Sequence, residues 1–185
     1  MLVVLYNTSV DTISENIYLV GLMGAGKTTL GRSLAKRLNL RFVDTDKEIE
    51  SRTGVSIPTI FEIEGEDGFR KRESQIIAEM SEQSGLVVAT GGGGVLRPEN
   101  RANMRSSGFV IYLNVPPPML WERTRHDRNR PLLQVADPLQ KLTQLFSVRD
   151  PLYREVANLV VDGGRMNAQG TLQFLLKEIG ERWKV

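Results

Sequence analysis

Three glycines and a lysine lie within eight consecutive residues near the start of this chain. The segment reads Gly21-Leu22-Met23-Gly24-Ala25-Gly26-Lys27-Thr28, which has the spacing G-x-x-x-x-G-K-[ST] of a phosphate-binding loop. An apolar run at 17–20 precedes it, and leucines spaced four apart follow it at 30, 34 and 38. A strand, a loop and a helix in this order form the structural context that such a loop requires. We therefore predict that the chain binds a nucleoside triphosphate.

The residue types of this loop suit the binding of phosphate groups. Glycines let the backbone bend so that successive N–H groups point at phosphate oxygens. The helix that begins near Lys27 adds the positive end of its dipole. We expect Lys27 to bridge the β- and γ-phosphates and the Thr28 hydroxyl to bind Mg²⁺. A glycine-rich turn that precedes Lys-Thr by chance is the alternative, and the flanking strand and helix argue against it.

Composition narrows the class of protein. The chain has 185 residues, of which 41% are hydrophobic and 25% charged, and its formal net charge is +2. These values are typical of a single globular domain, which we assign to residues 1–185,. They do not favour a dedicated nucleic-acid binder. The absence of cysteine excludes disulfides and thiol catalysis,, and one histidine cannot form a multi-histidine metal site,.

The sequence predicts neither a membrane span nor an export signal. No apolar run approaches the ~20 residues that a bilayer requires. The apolar residues 1–6 have no basic segment before them and are followed by polar residues. We therefore expect residues 1–15 to form a frayed extension rather than a signal peptide,. These features fit a cytoplasmic enzyme with no membrane partner, which we expect to be a monomer.

Short apolar runs alternate with helical patterns along the chain. Strands are predicted at 16–20, 40–44, 85–90, 109–115 and 158–162, and helices at about 27–39, 47–53, 58–64, 68–83, 98–107, 117–125, 138–148, 152–157 and 168–181,. This alternation indicates an α/β fold with a parallel sheet that is covered on both faces. Ligands in such folds bind at the carboxyl ends of the strands. The residues that follow each strand are therefore the candidates for a site.

Carboxylates and glycines follow the second and third predicted strands. Asp44 and Asp46 come at the end of the second strand. One of them can hold Mg²⁺ through water while the other orients a substrate hydroxyl or accepts its proton; an aspartate here can also simply cap the next helix. Four glycines at 91–94 follow the third strand. A small ligand can lie against a backbone without side chains, and a flexible turn is the alternative.

Arginines supply the other candidate groups. Glu73 shares a helix face with Arg70, so it either holds that guanidinium in place or forms a solvated surface pair with it. The arginine-rich segment 123–133 predicts a mobile lid whose arginine neutralises phosphate charge during transfer. A solvated loop and a nucleic-acid patch are its alternatives. Arg149 lies before Pro151, where we expect a helix to end, and it either binds an anionic substrate or complements the helix terminus.

In this order, the segments resemble those of shikimate kinases over residues 16 to about 183. The matching segments are 21–28, Asp44-Thr45-Asp46, Gly65-Glu66 with Gly68-Phe69-Arg70, Gly91-Gly92-Gly93, Arg130-Pro131-Leu132-Leu133, and Arg149 with Pro151-Leu152-Tyr153. The resemblance implies a three-layer sandwich like that of nucleoside monophosphate kinases, with five parallel strands in the order 2-3-1-4-5. It also implies the reaction. ATP would phosphorylate the 3-hydroxyl of shikimate, giving 3-phosphoshikimate and ADP on the route to chorismate and aromatic amino acids.

The resemblance further implies a role for each site residue. Asp46, Lys27 and Arg130 would be catalytic, with Asp46 on the substrate hydroxyl and Arg130 on the phosphates. Thr28 and Asp44 would hold Mg²⁺. Contacts with ATP would come from Gly24, Ala25, Gly26, Lys27, Thr28, Thr29, Arg123 and Arg130, with Arg123 near adenine. Contacts with shikimate would come from Asp46, Arg70, Gly91, Gly92, Gly93 and Arg149, of which the two arginines would clamp its carboxylate, while Phe61 and Phe69 would line the pocket.

Two parts of the chain depart from the family pattern. The segment 164–168 lacks the polar or proline-containing residues that often lie near adenine, so adenine contacts there stay open. Residues 1–15 have no counterpart that we can assign.

Two other functions compete with shikimate phosphorylation. One is a kinase of another small molecule, such as gluconate or a nucleoside monophosphate. The other is a regulator that binds ATP without turnover. Such a regulator would be expected to have lost Lys27, Asp46 or Arg130, and all three are present.

Overall fold

The computed structural model describes residues 15–127, 130–164 and 166–182. Most of the predicted extension at 1–15, together with Arg128, Asn129 and Arg165, lies outside the described residues. Five parallel strands form one sheet: β1 (Asn16–Val20), β2 (Arg41–Asp44), β3 (Leu86–Ala89), β4 (Gly108–Asn114) and β5 (Leu159–Asp162). Their order across the sheet is β2-β3-β1-β4-β5, which confirms the order implied by the family resemblance.

Helices cover both faces of this sheet, so the fold is the expected three-layer α/β sandwich. Every residue of β1 and β3 is buried, as the central strands of a covered parallel sheet must be. The described helices are α1 (Lys27–Leu38), α2 (Thr45–Thr53), α3 (Ile57–Ser81), α4 (Pro98–Ser107), α5 (Pro117–Thr124), α6 (Pro138–Val156) and α7 (Ala168–Arg182), with a short 3-10 helix at Pro131–Leu133. Within the described ranges, none of these helices has the length and apolar character needed to cross a bilayer.

The strand register brings the predicted site segments to one edge of the sheet. Leu19 of β1 and Asp44 of β2 both lie beside Ala89 of β3. The phosphate loop, the two aspartates and the glycine run therefore leave the sheet at the same level. Because parallel strands place their carboxyl ends together, this edge is where a ligand is expected.

Helix α2 begins directly after β2, two residues earlier than predicted. The side chain of Asp44 accepts hydrogen bonds from the backbone N–H groups of Asp46 and Lys47, which makes Asp44 the N-cap residue. Helix α3 spans the two helices predicted at 58–64 and 68–83. Between them the torsion angles of Gly65 (φ 68°, ψ −177°) are not helical, so the predicted interruption is present as a break at one residue.

Helix α6 continues through Pro151, so the prediction that a helix ends there is wrong. Proline lacks an N–H group and crowds the preceding turn. Pro151 lies on an exposed face, where water can solvate the carbonyl that loses its partner. On the opposite face, the side chains of Leu142, Arg149, Tyr153 and Val156 are buried on both sides of the proline. This continuous packing face outweighs the local cost of the proline.

Candidate active site

The phosphate loop wraps around the ammonium group of Lys27. Lys27 Nζ donates hydrogen bonds to the carbonyl oxygens of Gly21, at 2.6 Å, and Leu22, at 2.9 Å. Gly24 and Gly26 have φ angles of 81° and 95°, which glycine adopts readily and other residues rarely do. Helix α1 begins directly after Gly26, so its positive dipole end lies at the loop. This is the arrangement of an anion-binding site.

Asp44 joins the phosphate loop to the start of α2. Its Oδ2 accepts a hydrogen bond from Thr28 Oγ1 at 2.6 Å, and its Oδ1 caps α2. Asp44 therefore caps α2, and this role does not exclude the predicted metal role. A hydroxyl and a carboxylate side by side are suitable Mg²⁺ ligands where phosphate and water complete the coordination shell. In the described part of the chain, no group of three or more His, Cys, Asp or Glu residues forms a metal cage by itself.

Two adjoining cavities open at this edge of the sheet. The phosphate cavity is lined by Gly24, Gly26, Lys27, Thr28, Thr29, Asp44 and Arg123. The arginine cavity is lined by Phe61, Phe69, Arg70, Gly91, Gly93 and Arg149. Asp46, Gly92 and Arg130 line both cavities, so they lie where the two meet. Of the predicted ATP contacts, Ala25 instead lines a neighbouring cavity together with Arg123.

The carboxyl group of Asp46 lies in an unusual electrostatic environment. Its Oδ1 is buried and has no hydrogen-bond partner among the described residues. Burial, followed by the carboxylates of Glu73 and Asp44, raises the pKa of Asp46 to about 6. Burial also lowers the pKa of Lys27 to about 8, and the Asp46 carboxylate opposes that change. An acid and an ammonium group with pKa values on either side of neutrality therefore lie close together, which is typical of catalytic sites.

Arg70 and Glu73 form a buried pair rather than the solvated pair considered above. Arg70 Nη1 donates to Glu73 Oε2 at 2.6 Å, and Glu73 is completely buried. Burial raises the pKa of Glu73, and Arg70 opposes the rise. The ring of Phe69 lies under this guanidinium, with its centroid 5.0 Å from Cζ, and packs against Phe61. Both phenylalanines line the arginine cavity; that this cavity receives shikimate stays a prediction.

Arg70 and Arg149 converge on one carboxylate of the chain itself. Glu66 Oε1 accepts from Arg70 Nη2 at 3.0 Å and lies 3.9 Å from Arg149 Nη2. Arg149 is 3% exposed, and its Nη1 has no hydrogen-bond partner within the described ranges. Burial lowers the pKa of Arg149. A buried guanidinium with a free donor is suited to bind an anion, and its planar fork matches a carboxylate.

The glycine run makes room for the charged side chains of the site. A Cβ atom on Gly91 would clash with the carboxylate of Glu73, and one on Gly93 would clash with the guanidinium of Arg70. A Cβ atom on Gly92 would lie 3.6 Å from Arg149 Nη1. The prediction was that these glycines admit a ligand. The structure adds that two of them also let the chain's own ionic groups pack against the backbone.

Of the three described arginines of the predicted lid, Arg123 and Arg130 line the phosphate cavity, whereas Arg125 does not. Arg130 Nε donates to Asp127 Oδ2 at 3.0 Å, and its side chain is 37% exposed. Arg123 donates to the carbonyl oxygens of Gly24, at 3.3 Å, and Gly163, at 3.2 Å. It therefore ties the phosphate loop to the segment that follows β5.

Three residues of the site were quoted in the motifs but were not predicted to belong to it. Glu66 bridges the two arginines, as described above. Thr45 accepts a hydrogen bond from Gly91 N–H at 2.9 Å, which links the ends of β2 and β3. Tyr153 donates to the Gly92 carbonyl oxygen. Tyr153 and Glu66 had a usable signal in the sequence, because Tyr153 lies four residues after Arg149 and Glu66 four residues before Arg70, each on the same helix face as its arginine.

Comparison with known proteins identifies the family. The shikimate kinase family model matches residues 23–180. The chain belongs to the shikimate kinase family. A shikimate kinase of Dechloromonas aromatica is 64% identical over 164 residues, covering 89% of this chain and 90% of that protein. One of Aromatoleum aromaticum is 61% identical over 163 residues, covering 88% of this chain and 93% of the relative.

A solved structure agrees with this assignment. It is that of a shikimate kinase from Acinetobacter baumannii in complex with shikimate, and it superposes on this chain with a TM-score of 0.90 at 48% sequence identity. The match covers 92% of this chain and 96% of that structure. The family resemblance inferred from the ordered motifs is therefore confirmed, as is the fold that it implies.

Proposed function

We infer that this chain transfers the γ-phosphoryl group of ATP to the 3-hydroxyl of shikimate. The products are ADP and 3-phosphoshikimate, on the route to chorismate and aromatic amino acids. Membership of the shikimate kinase family supports this function, as does the shikimate in the related Acinetobacter baumannii structure. The observation that carries the inference is that a phosphate cavity and an arginine cavity meet at Asp46.

We assign the shikimate carboxylate to the two arginines of the arginine cavity. The free Nη1 of Arg149 supports this assignment. So does Glu66, because a carboxylate of the chain already lies between Arg70 and Arg149. Gly91, Gly92 and Gly93 then face the ring, and the hydroxyl groups point toward Asp46. An anionic polyol suits this combination of two arginines and the Asp46 carboxylate, whereas a site with acidic groups alone would repel it.

Asp46 is proposed to align the 3-hydroxyl and to accept its proton as the new P–O bond forms. With a pKa of about 6, it is ionised at neutral pH yet basic enough to take a proton. In a loose, in-line phosphoryl transfer, alignment of the attacking oxygen contributes more than removal of its proton. The unpartnered Oδ1 of Asp46 is the acceptor that this role requires.

Charge that develops on the transferred group is proposed to be neutralised by Lys27 and Arg130. Both side chains line the phosphate cavity, and Arg130 also reaches the boundary with the arginine cavity. Thr28 and Asp44 fit Mg²⁺ as a hydroxyl and carboxylate pair, and the ion would supply further charge neutralisation at the phosphates. Arg123 is assigned to the adenine side of ATP, next to the loop residues Gly24 to Thr29.

We further propose that the chain acts as a single-domain monomer in the cytoplasm. The length of 185 residues and the ordinary composition suit a single domain,. Size-exclusion chromatography coupled to light scattering tests the oligomeric state. A stable dimer at assay concentrations would contradict that part of the proposal without affecting the reaction.

A coupled assay of ADP release, with and without shikimate, tests the proposed function. We expect rapid ADP release only when shikimate, Mg²⁺ and ATP are all present. Gluconate and nucleoside monophosphates serve as alternative acceptors in the same assay. A preference for either would identify a kinase of a different small molecule. Binding of ATP without any acceptor-dependent release would identify a nucleotide-dependent regulator.

A further inference from the structure

Tyr153 is a buried residue that touches the site without lining either cavity. It lies in α6, one helical turn after Arg149, and is completely buried. A buried phenol requires a hydrogen-bond partner, and the partner here is the Gly92 carbonyl oxygen. Gly92 is one of the residues at which the phosphate cavity and the arginine cavity meet. The hydroxyl of Tyr153 thus contacts the backbone that faces the proposed substrate.

This hydrogen bond fixes the direction of a peptide group in the site. In a planar trans peptide the C=O and N–H groups point in opposite directions. Because Tyr153 holds the Gly92 carbonyl on its own side, the N–H of Gly93 must point away from α6. No backbone carbonyl in the described part of the chain accepts from that N–H, so it can donate to a ligand.

Arg149 lies one helical turn before Tyr153 on the same buried face of α6,. Burial raises the pKa of Tyr153, and the adjacent Arg149 guanidinium opposes the rise. Arg149 Nη1 also lies close to Gly92, because a Cβ atom built on Gly92 would be 3.6 Å from it. Tyr153, Gly92 and Arg149 therefore form one contact group in which a helix side chain, a loop backbone and a guanidinium meet.

A residue of the sheet holds the ring of Tyr153 in place. This ring stacks on Tyr112 of β4, with ring centroids 4.8 Å apart and planes inclined by 27°. The hydroxyl of Tyr112 donates to Asp150 Oδ1 at 2.9 Å, and Asp150 in turn accepts from Arg154. The stacking on Tyr112 is what limits the freedom of the Tyr153 ring. A rigid support of this kind is what a precise binding geometry requires.

We propose that Tyr153 is a positioning residue that holds the Gly92–Gly93 peptide and Arg149 in register, so that both bind shikimate together. The proposal rests on the proposed function. It concerns substrate affinity rather than chemistry, because Tyr153 lies on the shikimate side of Asp46. Loss of the hydroxyl should therefore weaken shikimate binding and leave ATP binding unchanged.

The test is Tyr153→Phe, which removes one oxygen atom and keeps the stacked ring. We expect KM for shikimate to rise about tenfold, while kcat and KM for ATP stay within about twofold of the wild-type values. Tyr112→Phe is the matched control, since it deletes a hydroxyl from the other ring of the same stack, one that bonds Asp150 rather than Gly92. It should lower thermal stability and leave KM for shikimate unchanged.

Three outcomes would overturn the proposal. The first is an unchanged KM for shikimate in Tyr153→Phe. The second is an equal rise of KM for shikimate and for ATP in that variant, or an equal rise of KM for shikimate in both variants. The third is failure of Tyr153→Phe to fold, because the hydroxyl would then serve stability in the first place. Failure of the proposed function is recognised separately, since the wild-type chain itself would then leave shikimate unmodified.

Discussion

At the scale of single residues, burial disfavours the ionised form of the Asp46 carboxyl group. Replacing Asp46 with asparagine keeps the shape of the side chain and removes the proton acceptor. For Asp46→Asn we expect kcat to fall by about 10²–10⁴, with KM for ATP nearly unchanged. Steady-state kinetics measure both values. Asp67→Asn, which removes an exposed carboxylate from the same region of the chain, is the control and should keep wild-type turnover. Wild-type turnover in Asp46→Asn would contradict its assigned role.

The same carboxylate should leave a signature in the pH dependence of the reaction. Its pKa of about 6 means that the ionised form is lost as pH falls through that value. We expect kcat/KM for shikimate to decline below about pH 6 and the residual activity of Asp46→Asn to lack this acidic limb. The fall in the pKa of Lys27 to about 8 predicts a second decline on the alkaline side. An acidic limb that is identical in the wild type and the variant would contradict the assignment.

The buried carboxylate of Asp46 should also lower the free energy of unfolding at neutral pH. Its pKa in the folded state lies above the usual value of 3.8, so the folded chain binds more protons than the unfolded chain between about pH 4 and 6. The free energy of unfolding therefore decreases as pH rises through that window. Asp46→Asn should raise it at pH 7 by about 1–3 kcal/mol, as measured by urea unfolding. Asp67→Asn should show no such gain. A loss of stability in Asp46→Asn would contradict burial as the cause of the raised pKa.

Arg149 is expected to determine shikimate affinity. Arg149→Leu removes a buried guanidinium that is proposed to pair with the substrate carboxylate, so KM for shikimate should rise by at least about 30-fold. The control is Arg154→Leu on the same helix, whose guanidinium is half exposed and bonds Asp150. It should leave KM unchanged. Steady-state kinetics with shikimate as the varied substrate measure KM in both variants. Equal KM values would contradict the assignment of Arg149 to the substrate carboxylate.

At the scale of secondary-structure elements, the break in α3 sets the position of the residues that follow it. Gly65 has φ 68° and ψ −177°, a combination that is essentially restricted to glycine. No atom lies within 4 Å of a Cβ atom at this position, so Gly65→Ala would be strained by its backbone alone. We expect a loss of about 1–3 kcal/mol in stability and a rise of KM for shikimate, because Phe69 and Arg70 lie in the following turns.

Gly54→Ala is the matched control for this prediction. Gly54 ends α2 with φ 70° and ψ 7°, and its Cβ position is equally open. Alanine there should lower stability by about 1 kcal/mol, since a left-handed conformation is disfavoured. It should not change KM, because no cavity of the site is lined by Gly54. Chemical denaturation measures the effect on stability, and steady-state kinetics measure the effect on KM. An unchanged KM in Gly65→Ala would show that the break in α3 does not affect substrate binding.

The elements differ in how far they could be predicted from the sequence. The strand, loop and helix around Lys27 could be predicted because a spaced motif, an apolar run and a leucine repeat agree. The break at Gly65 was also anticipated, as the gap between the helices predicted at 58–64 and 68–83. The passage of α6 through Pro151 could not be predicted. It depends on the packing of Arg149 and Tyr153 on both sides of the proline, which is a tertiary effect that local propensity does not contain.

At the scale of the whole molecule, the strand order came from the family resemblance and not from periodicity. Apolar runs indicate that strands exist but carry no information about which strands are neighbours. The same limit applies to the site. Sequence reasoning supplied Asp46, Arg70 and Arg149 as separate candidates. Their convergence across α2, α3 and α6, and the bridging of the two arginines by Glu66, depend on how distant elements pack. Burial, which raises the pKa of Asp46, is likewise a property of the fold alone.

The central claim is that one carboxylate and two arginines present a single hydroxyl of shikimate to the γ-phosphate of ATP. Phosphorus-31 NMR of the purified wild-type chain with Mg²⁺, ATP and shikimate tests it most directly. The account predicts stoichiometric conversion of ATP to ADP together with one new phosphate monoester, carried by the 3-hydroxyl of shikimate. A monoester on another hydroxyl, or the release of inorganic phosphate with shikimate unmodified, would contradict it.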